Sequence, residues 1–283
     1  MTYPYESTIR LGEVVLNVRD LEKQTWFYSK MIGLAILKKE EKEVSLGISD
    51  QVLLRLVEIY HVRVSNYGLY HTAILVPDRP SLGAALKHLL SNGVTLTGGA
   101  DHGYSEAIYL DDPEGNGIEM YRDKPMTEWD IRDDGRVIGV TEELDGTDIL
   151  AVSKEMSEYQ LSAGTVVGHV HLSVKDATQS SRLYQRVFGF RDKMSIPSAS
   201  WIASGKYHHH LAFNQWAGSH LPKRQVGNPG LNHLTLEMED DILFQASLKK
   251  ARLYGMKVIE VSDKAYLLED EDGIRTKVEL QLS

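Results

Sequence analysis

The chain consists of short segments in which apolar and polar residues alternate, each followed by a segment with helical spacing. In the first unit, a predicted strand over 14–18 precedes a predicted helix over 21–31, and Gly33 stands where a left-handed C-cap is expected. The second unit has the same order of elements: strand 69–76, helix 80–91, strand 106–111, turn 112–117 and strand 117–122. Each unit therefore predicts a βαβββ module, and the fold is of the α+β class.

The second half of the chain repeats the first half. Residues 12–20, GEVVLNVRD, align with residues 168–176, GHVHLSVKD. Residues 68–71, GLYH, align with residues 230–233, GLNH. Such a repeat indicates a tandem duplication, with two modules in each half and four in the whole chain.

The segment between the two halves contains an acidic stretch and no sustained period, which is typical of a linker. We therefore predict a first domain over 1–126, a linker over 127–164 with one short helix near 147–156, and a second domain over 165–283.

Composition narrows the functional classes. Lys and Arg number 31 against 40 Asp and Glu, a net charge of −9 without any basic run, so nucleic acid is not expected as a partner. No stretch of 18 apolar residues and no secretion signal is visible, so we expect a cytoplasmic protein without membrane contact. The chain has no cysteine, so any metal must be held by His and carboxylate ligands. Monomer and homodimer both remain open.

Several short motifs lie at corresponding places in the modules. They are GLYH at 68–71, DHG at 101–103, SEAIYL at 105–110, DPEGNGIE at 112–119, GHVHL at 168–172 and YHHH at 207–210. Together with the four modules, these motifs resemble the vicinal oxygen chelate superfamily of glyoxalases, bleomycin resistance proteins and extradiol dioxygenases, in particular its bacterial catechol-2,3-dioxygenases. The resemblance implies two half-open barrels of mixed β-sheet, in which a divalent metal chelates two neighbouring oxygens of the substrate.

The same resemblance implies an Fe(II)-dependent extradiol dioxygenase. Its partners would be a small aromatic diol and dioxygen, and catechol would be opened to a 2-hydroxymuconic semialdehyde type of product. Mn(II) suits the same ligands. Two imidazoles and one carboxylate on three strands form a facial triad that leaves adjacent coordination positions open for both substrates.

Two triads compete as the metal site. The first joins modules two and three through His71, Glu119 and His169. The alternative lies in the second half and uses His169, His233 and Glu279.

Spacing favours the first triad. In module two the carboxylate of Glu119 follows the turn glycine Gly115 by four residues, whereas Lys277 stands four residues after Gly273 in module four. Glu279 would need a bulge or a longer turn to take that place. The outer modules, with Glu13, His233 and either Glu279 or Lys277, are interpreted as a relic of a second site.

Four residues are candidates for catalytic roles. If residues 207–210 form a strand, His208 and His210 face the cavity and His209 faces away. By resemblance, Tyr109 matches a substrate-binding tyrosine of extradiol dioxygenases, and either His102 or His208 would serve as the acid–base group. Trp201, Phe213 and Trp216 are interpreted as core residues rather than as an aromatic wall.

Two other functions fit the same fold. A glyoxalase-I-like, metal-dependent lyase would usually need two carboxylates among four ligands. A non-catalytic ligand-binding or resistance protein would need no metal at all. A metal assay and a measurement of dioxygen uptake separate the three functions.

Overall fold

The computed structural model describes residues 4–61, 64–153 and 157–281. The helices are α1 (Leu21–Trp26), which continues as a π-helix over Phe27–Ile32, then α2 (Arg79–Ser91), α3 (Gly146–Ala151), α4 (Ala177–Phe188) and α5 (Asp241–Leu253). In the part of the chain that is described, no helix is both long and apolar enough to cross a membrane.

The strands of the first half are β1 (Ile9–Val18), β2 (Ala35–Lys39), β3 (Glu43–Ile48), β4 (Gln51–Glu58), β5 (Gly68–Leu75), β6 (Leu96–Asp101), β7 (Ser105–Asp111) and β8 (Gly117–Asp123). The linker carries β9 (Asp130–Ile131), β10 (Val137–Ile138) and β11 (Glu142–Glu143). The strands of the second half are β12 (Val166–Ser173), β13 (Arg191–Ile196), β14 (Ala199–Ala203), β15 (Leu211–Asn214), β16 (Gly230–Met238), β17 (Lys257–Ser262), β18 (Ala265–Glu269) and β19 (Arg275–Leu280). The predicted α+β fold of repeated modules is confirmed.

Two mixed sheets contain all strands except β9 and β10. The nine-stranded sheet has the order β11-β6-β7-β8-β5-β12-β15-β14-β13, and the eight-stranded sheet has the order β17-β18-β19-β16-β1-β4-β3-β2. Modules two and three meet where β5 pairs antiparallel with β12, and modules four and one meet where β16 pairs antiparallel with β1. Each sheet thus takes one module from each half of the chain, and we call them the central sheet and the outer sheet.

Aspartate side chains begin the helices. Asp78 accepts a hydrogen bond from the backbone N–H of Ser81 at the start of α2, and Asp176 accepts one from Gln179 at the start of α4. These contacts satisfy N–H groups that the helix leaves unpaired. The predicted C-cap is also found, because Gly33 has a φ of 91° where the first helix ends. The linker helix covers Gly146–Ala151, and residues 154–156 of the predicted helix lie outside the described part of the chain.

Alternation along the strands separates the core from the polar faces. Ile74 of β5, Val170 of β12, Leu16 of β1 and Leu234 of β16 are buried in one hydrophobic cluster. Since side chains alternate across a strand, their sequence neighbours point to the opposite faces of the two sheets. Those opposite faces carry the polar residues singled out above.

The linker covers one end of the central sheet. Its strand β11 pairs antiparallel with β6 at the sheet edge. Trp129 is buried against Tyr104 and Tyr207, and the backbone N–H of Val140 donates to the carbonyl oxygen of His102. The linker therefore forms part of the wall above the polar face of the central sheet.

Candidate metal centre and cavity

Three adjacent strands of the central sheet carry His71, Glu119 and His169 on one face. β5 lies in the middle, parallel to β8 on one side and antiparallel to β12 on the other. Ala73 is paired with both Glu119 and His169, and it points to the same face as His71, two residues earlier. Because the alanine side chain is small, it leaves room for the glutamate and the two imidazoles to converge above it.

The three ligand atoms form a compact triangle. The Nε2 atoms of His71 and His169 each lie 3.0 Å from Oε2 of Glu119, and they lie 3.3 Å from each other. A cation about 2.1 Å from three donors at right angles requires donor–donor distances of about 3.0 Å. All three side chains are buried, and within the described ranges they form the one group of such ligands close enough to hold a metal ion.

The charges of this group suit a divalent cation. Burial raises the pKa of Glu119, but its interactions with His169 and His71 outweigh this and hold that pKa well below its ordinary value. Burial lowers the pKa of His169 to about 4, against the opposing influence of Glu119. The group therefore contains an ionised carboxylate and a neutral imidazole, the forms in which these side chains bind metals. Such a donor set fits a transition metal with open coordination positions.

A cavity of about 710 Å³ opens in front of the triad. On its module-two side, the hydroxyl of Tyr109 lies 2.6 Å from Nε2 of His102, whose Nδ1 lies 2.9 Å from the carbonyl oxygen of Val140. Because a carbonyl oxygen only accepts, Nδ1 carries the ring proton and the Tyr109 hydroxyl donates to Nε2. Burial, followed by the charge of Glu119, raises the pKa of Tyr109, so its phenol is protonated.

The histidine tract at 207–210 differs from the prediction. β14 ends at Ala203 and β15 begins at Leu211, so the tract is an irregular connection to which strand alternation does not apply. His209 lines the cavity, its ring centroid 4.1 Å from that of His169. The expectation that His209 faces away is therefore corrected.

His208 and His210 do not line the cavity wall. Nε2 of His208 lies 2.9 Å from a carboxylate oxygen of Asp123, and the ring stacks on Tyr104 with centroids 4.3 Å apart. Nδ1 of His210 accepts from the backbone N–H of Ser204, and burial lowers the pKa of His210 to about 3. Their expected placement in the cavity is corrected for the same reason, the irregular backbone of the tract.

Several residues of the cavity had no predicted role there, among them His171, Trp201 and Trp216. His171 lies two residues after His169 on the same strand face, a spacing from which it could have been found. Trp201 and Trp216 also line the cavity, whereas Phe213 is buried in the core as predicted. The core interpretation of the two tryptophans is therefore wrong.

The outer sheet has charged pairs at the corresponding places. Lys277 pairs with Thr235, the register position that corresponds to Glu119 opposite Ala73, and β16 and β19 pair without any register shift. Glu279 is therefore not moved into the ligand position, and it forms an ion pair with Lys277. His233 and Glu279 lie in the outer sheet while His169 lies in the central sheet, so the structure does not bring the alternative triad together.

Glu13 is also engaged elsewhere. Its carboxylate binds the guanidinium of Arg55 at 2.9 Å, and Arg55 binds Glu43 at 2.8 Å. Burial and the nearby charge of Lys277 lower the pKa of His233 to about 4. A cation beside Lys277 and Arg55 would be repelled, which agrees with the interpretation of the outer pair as a relic.

Known proteins share this arrangement of modules. Residues 10–120 and 166–278 match the sequence profile of the Glyoxalase/Bleomycin resistance protein/Dioxygenase superfamily. A protein named catechol-2,3-dioxygenase from Bacillus subtilis (strain 168) is 34% identical over 279 residues, which cover 95% of this chain and 96% of that protein.

Solved structures show the same fold at lower sequence identity. A putative dioxygenase from Bacillus subtilis subsp. subtilis str. 168 superimposes with a TM-score of 0.67 at 14% identity, covering 97% of this chain and 86% of that chain. Glyoxalase I from Zea mays superimposes with a TM-score of 0.58 at 16% identity, covering 97% and 93%. From the profile match over both halves and the relative over nearly its whole length, the chain belongs to the Glyoxalase/Bleomycin resistance protein/Dioxygenase superfamily.

Proposed function

We propose that this protein is an Fe(II)-dependent extradiol dioxygenase that opens a catechol ring beside its hydroxyl groups. The observation that carries the proposal is the buried triangle of two imidazoles and one carboxylate facing the cavity. A three-ligand face leaves adjacent positions for a chelating diol and for dioxygen. The relative named catechol-2,3-dioxygenase, similar over 95% of the chain, supports the same chemistry.

In this proposal His71 and His169 hold the metal through Nε2 and Glu119 holds it through a carboxylate oxygen. Bound there, iron(II) would pass electron density from the chelated diol to dioxygen. Ala73 keeps the ligands close together, and the buried strands around it hold their geometry before the substrate arrives.

The remaining polar residues of the cavity orient the diol. The Tyr109 hydroxyl donates to His102, so its oxygen is placed to accept a hydrogen bond from a substrate hydroxyl. The carbonyl of Val140 fixes the tautomer of His102, and His209 faces the diol from the module-three side. Proton transfer through such positioned groups contributes typically about 10²–10⁴-fold to a rate.

The test is dioxygen consumption by anaerobically purified protein loaded with Fe(II), after addition of catechol or 4-phenylcatechol. We expect iron-dependent uptake and a yellow ring-opened product, and much less of both when Mn(II) replaces Fe(II). Glu119→Gln should lose iron and uptake. Glu279→Gln, the same change on the last strand of module four, should retain both.

The competing functions give different results. Iron retention without uptake, together with conversion of the methylglyoxal–glutathione hemithioacetal, would replace the proposal with a lyase. Absence of metal binding in the unaltered protein would favour a ligand-binding protein of the same fold.

A further inference from the structure

The cavity has a second part, which extends away from the triad on the module-three side. We define it as the apolar lobe, and it is lined by Tyr70, Met194, Ile196, Trp201 and Trp216. We propose that the apolar lobe binds an uncharged, ring-sized substituent of the substrate, so that the preferred diols carry an aryl group and carboxylated diols are rejected. The identity of the ligand as a diol rests on the proposed function, whereas the selectivity of the lobe does not.

The size of the cavity argues for a substrate larger than catechol. A volume of about 710 Å³ lies in the range of about 300–1,000 Å³ that encloses drug-sized ligands. A single ring with two hydroxyls, chelated at the triad, leaves most of this space unfilled. An apolar substituent in the remaining space would exclude water from the tryptophan and tyrosine rings.

The lobe is continuous with the triad through ring contacts. The ring centroid of His171 lies 5.0 Å from that of His71 and 5.5 Å from that of Trp216. Tyr70 immediately precedes His71 in the chain, and its ring centroid lies 5.2 Å from that of Trp216. The ring centroid of Trp201 lies 6.2 Å from that of His171. A substituent on a diol held beside His71 would therefore enter a space bordered by aromatic rings.

Hydrogen bonds hold Trp216 in place although solvent reaches it. Trp216 is 51% exposed, yet its Nε1 donates to the hydroxyl of Ser198 at 3.2 Å and its backbone N–H donates to Asn214. Tyr70 and Ile196 are each 46% exposed. Large apolar side chains exposed together beside a cavity mark a binding surface, and Trp216, held in one position, loses little entropy on binding.

The charges around the cavity explain the rejection of carboxylates. Among the described residues that line the cavity, none is Lys or Arg, and the acidic ones are Glu119 and Asp111. A substituent carboxylate would lose its hydration without gaining a cation, and it would be repelled by Asp111.

Three ligands that differ at one ring position test the proposal: catechol, 4-phenylcatechol and 3,4-dihydroxybenzoate. Binding is measured by anaerobic calorimetry on the metal-free protein and on the Fe(II)-loaded protein, and dioxygen uptake is recorded separately. We expect 4-phenylcatechol to bind at least 10-fold more tightly than catechol, and 3,4-dihydroxybenzoate to bind more weakly than catechol. Trp216→Ala should remove most of the phenyl advantage, because it should weaken the binding of 4-phenylcatechol far more than that of catechol.

Trp26→Ala is the matched control, because Trp26 is 55% exposed on α1 and does not line the cavity. It should change none of the three affinities. Equal affinity for the phenyl and carboxylate ligands, no binding of any of the three, or an equal loss for all three in Trp216→Ala would each overturn the proposal. Selective phenyl binding without dioxygen uptake would leave the lobe in place and refute the dioxygenase. Dioxygen uptake without selective binding of the phenyl ligand would support the dioxygenase and overturn the proposal for the lobe.

Discussion

The Nδ1 atoms of His208 and His209 lie 2.8 Å apart, in a chain of contacts that leads from Asp123 to the cavity. The carboxylate of Asp123 accepts from Nε2 of His208 at 2.9 Å, so a neutral His208 has its lone pair on Nδ1. His209 must then donate its Nδ1 proton to His208, which leaves the lone pair of His209 on Nε2. Asp123 thus acts on His209 through His208 as a positioning residue.

Nitrogen-15 NMR of the histidine rings in the metal-free protein tests this tautomer. We expect His209 to carry its proton on Nδ1, and Asp123→Ala to give a mixture of tautomers because the acceptor for His208 is lost. Asp123→Asn should preserve the wild-type state, since its amide oxygen still accepts. Asp134→Ala, on the exposed linker, is the control. A proton on Nε2 of His209 in the unaltered protein would refute the positioning role of Asp123.

Removal of one imidazole should distinguish the central sheet from the outer sheet. We expect His71→Ala to weaken iron binding by more than about 100-fold, because it removes a ligand rather than a supporting contact. His233→Ala, at the matching position of module four, should leave the iron content unchanged. Iron per chain after gel filtration is the measurement. Iron loss in His233→Ala alone would place the site in the outer sheet.

Close packing of β5 against β8 should make Gly117 intolerant of any side chain. A Cβ added there would lie 2.1 Å from the carbonyl oxygen of Tyr70. We expect Gly117→Ala to lower the free energy of unfolding by about 1–3 kcal/mol, and to weaken metal binding, because β8 carries Glu119. Gly98→Ala, where a Cβ meets nothing within 4 Å, should change stability by less than about 0.5 kcal/mol. Urea denaturation compares the two variants.

Asp270 should make stability depend on pH. Burial raises its pKa to about 7, against the backbone N–H of Ile274, which donates to the carboxylate. The folded protein therefore holds a proton that the unfolded chain releases near pH 4, so stability falls as the pH rises from about 4 to about 7. Asp270→Asn does not titrate. Relative to this variant, the free energy of unfolding of the wild type should fall by at most about 3 kcal/mol between pH 5 and pH 8. A constant difference in urea denaturation across this range would contradict the raised pKa.

Loss of the Tyr109 hydroxyl should affect turnover without affecting metal binding. We expect Tyr109→Phe to lower kcat/KM for dioxygen uptake by about 10²-fold, because the hydrogen bond to the substrate hydroxyl is lost. The iron content should stay at the wild-type level. Tyr60→Phe, at a side chain that is 78% exposed, is the control. Equal activity of the two variants would exclude a role for Tyr109 in binding the diol.

Some of this arrangement was predictable because it is encoded locally. Ile118 and Val170 are buried while their neighbours Glu119 and His169 point to the other face, as the period of a strand requires. The repeat supplied a comparison between modules, and four residues after the turn glycine stand Glu119 in one module and Lys277 in another. Because the register of a strand follows such spacings, the sequence could distinguish the module with a carboxylate at the ligand position from the module with a lysine there.

The sequence by itself determined the four modules, the face of each strand and the ligand types that each face carries. Only the tertiary structure decided that β5 pairs with β12, that residues 204–210 are irregular so that His209 lines the cavity, and that Trp201 and Trp216 border it. The reason is physical. Periodicity and capping act over a few residues, whereas strand pairing between modules and the shape of an irregular segment depend on the contacts that the whole chain makes at once.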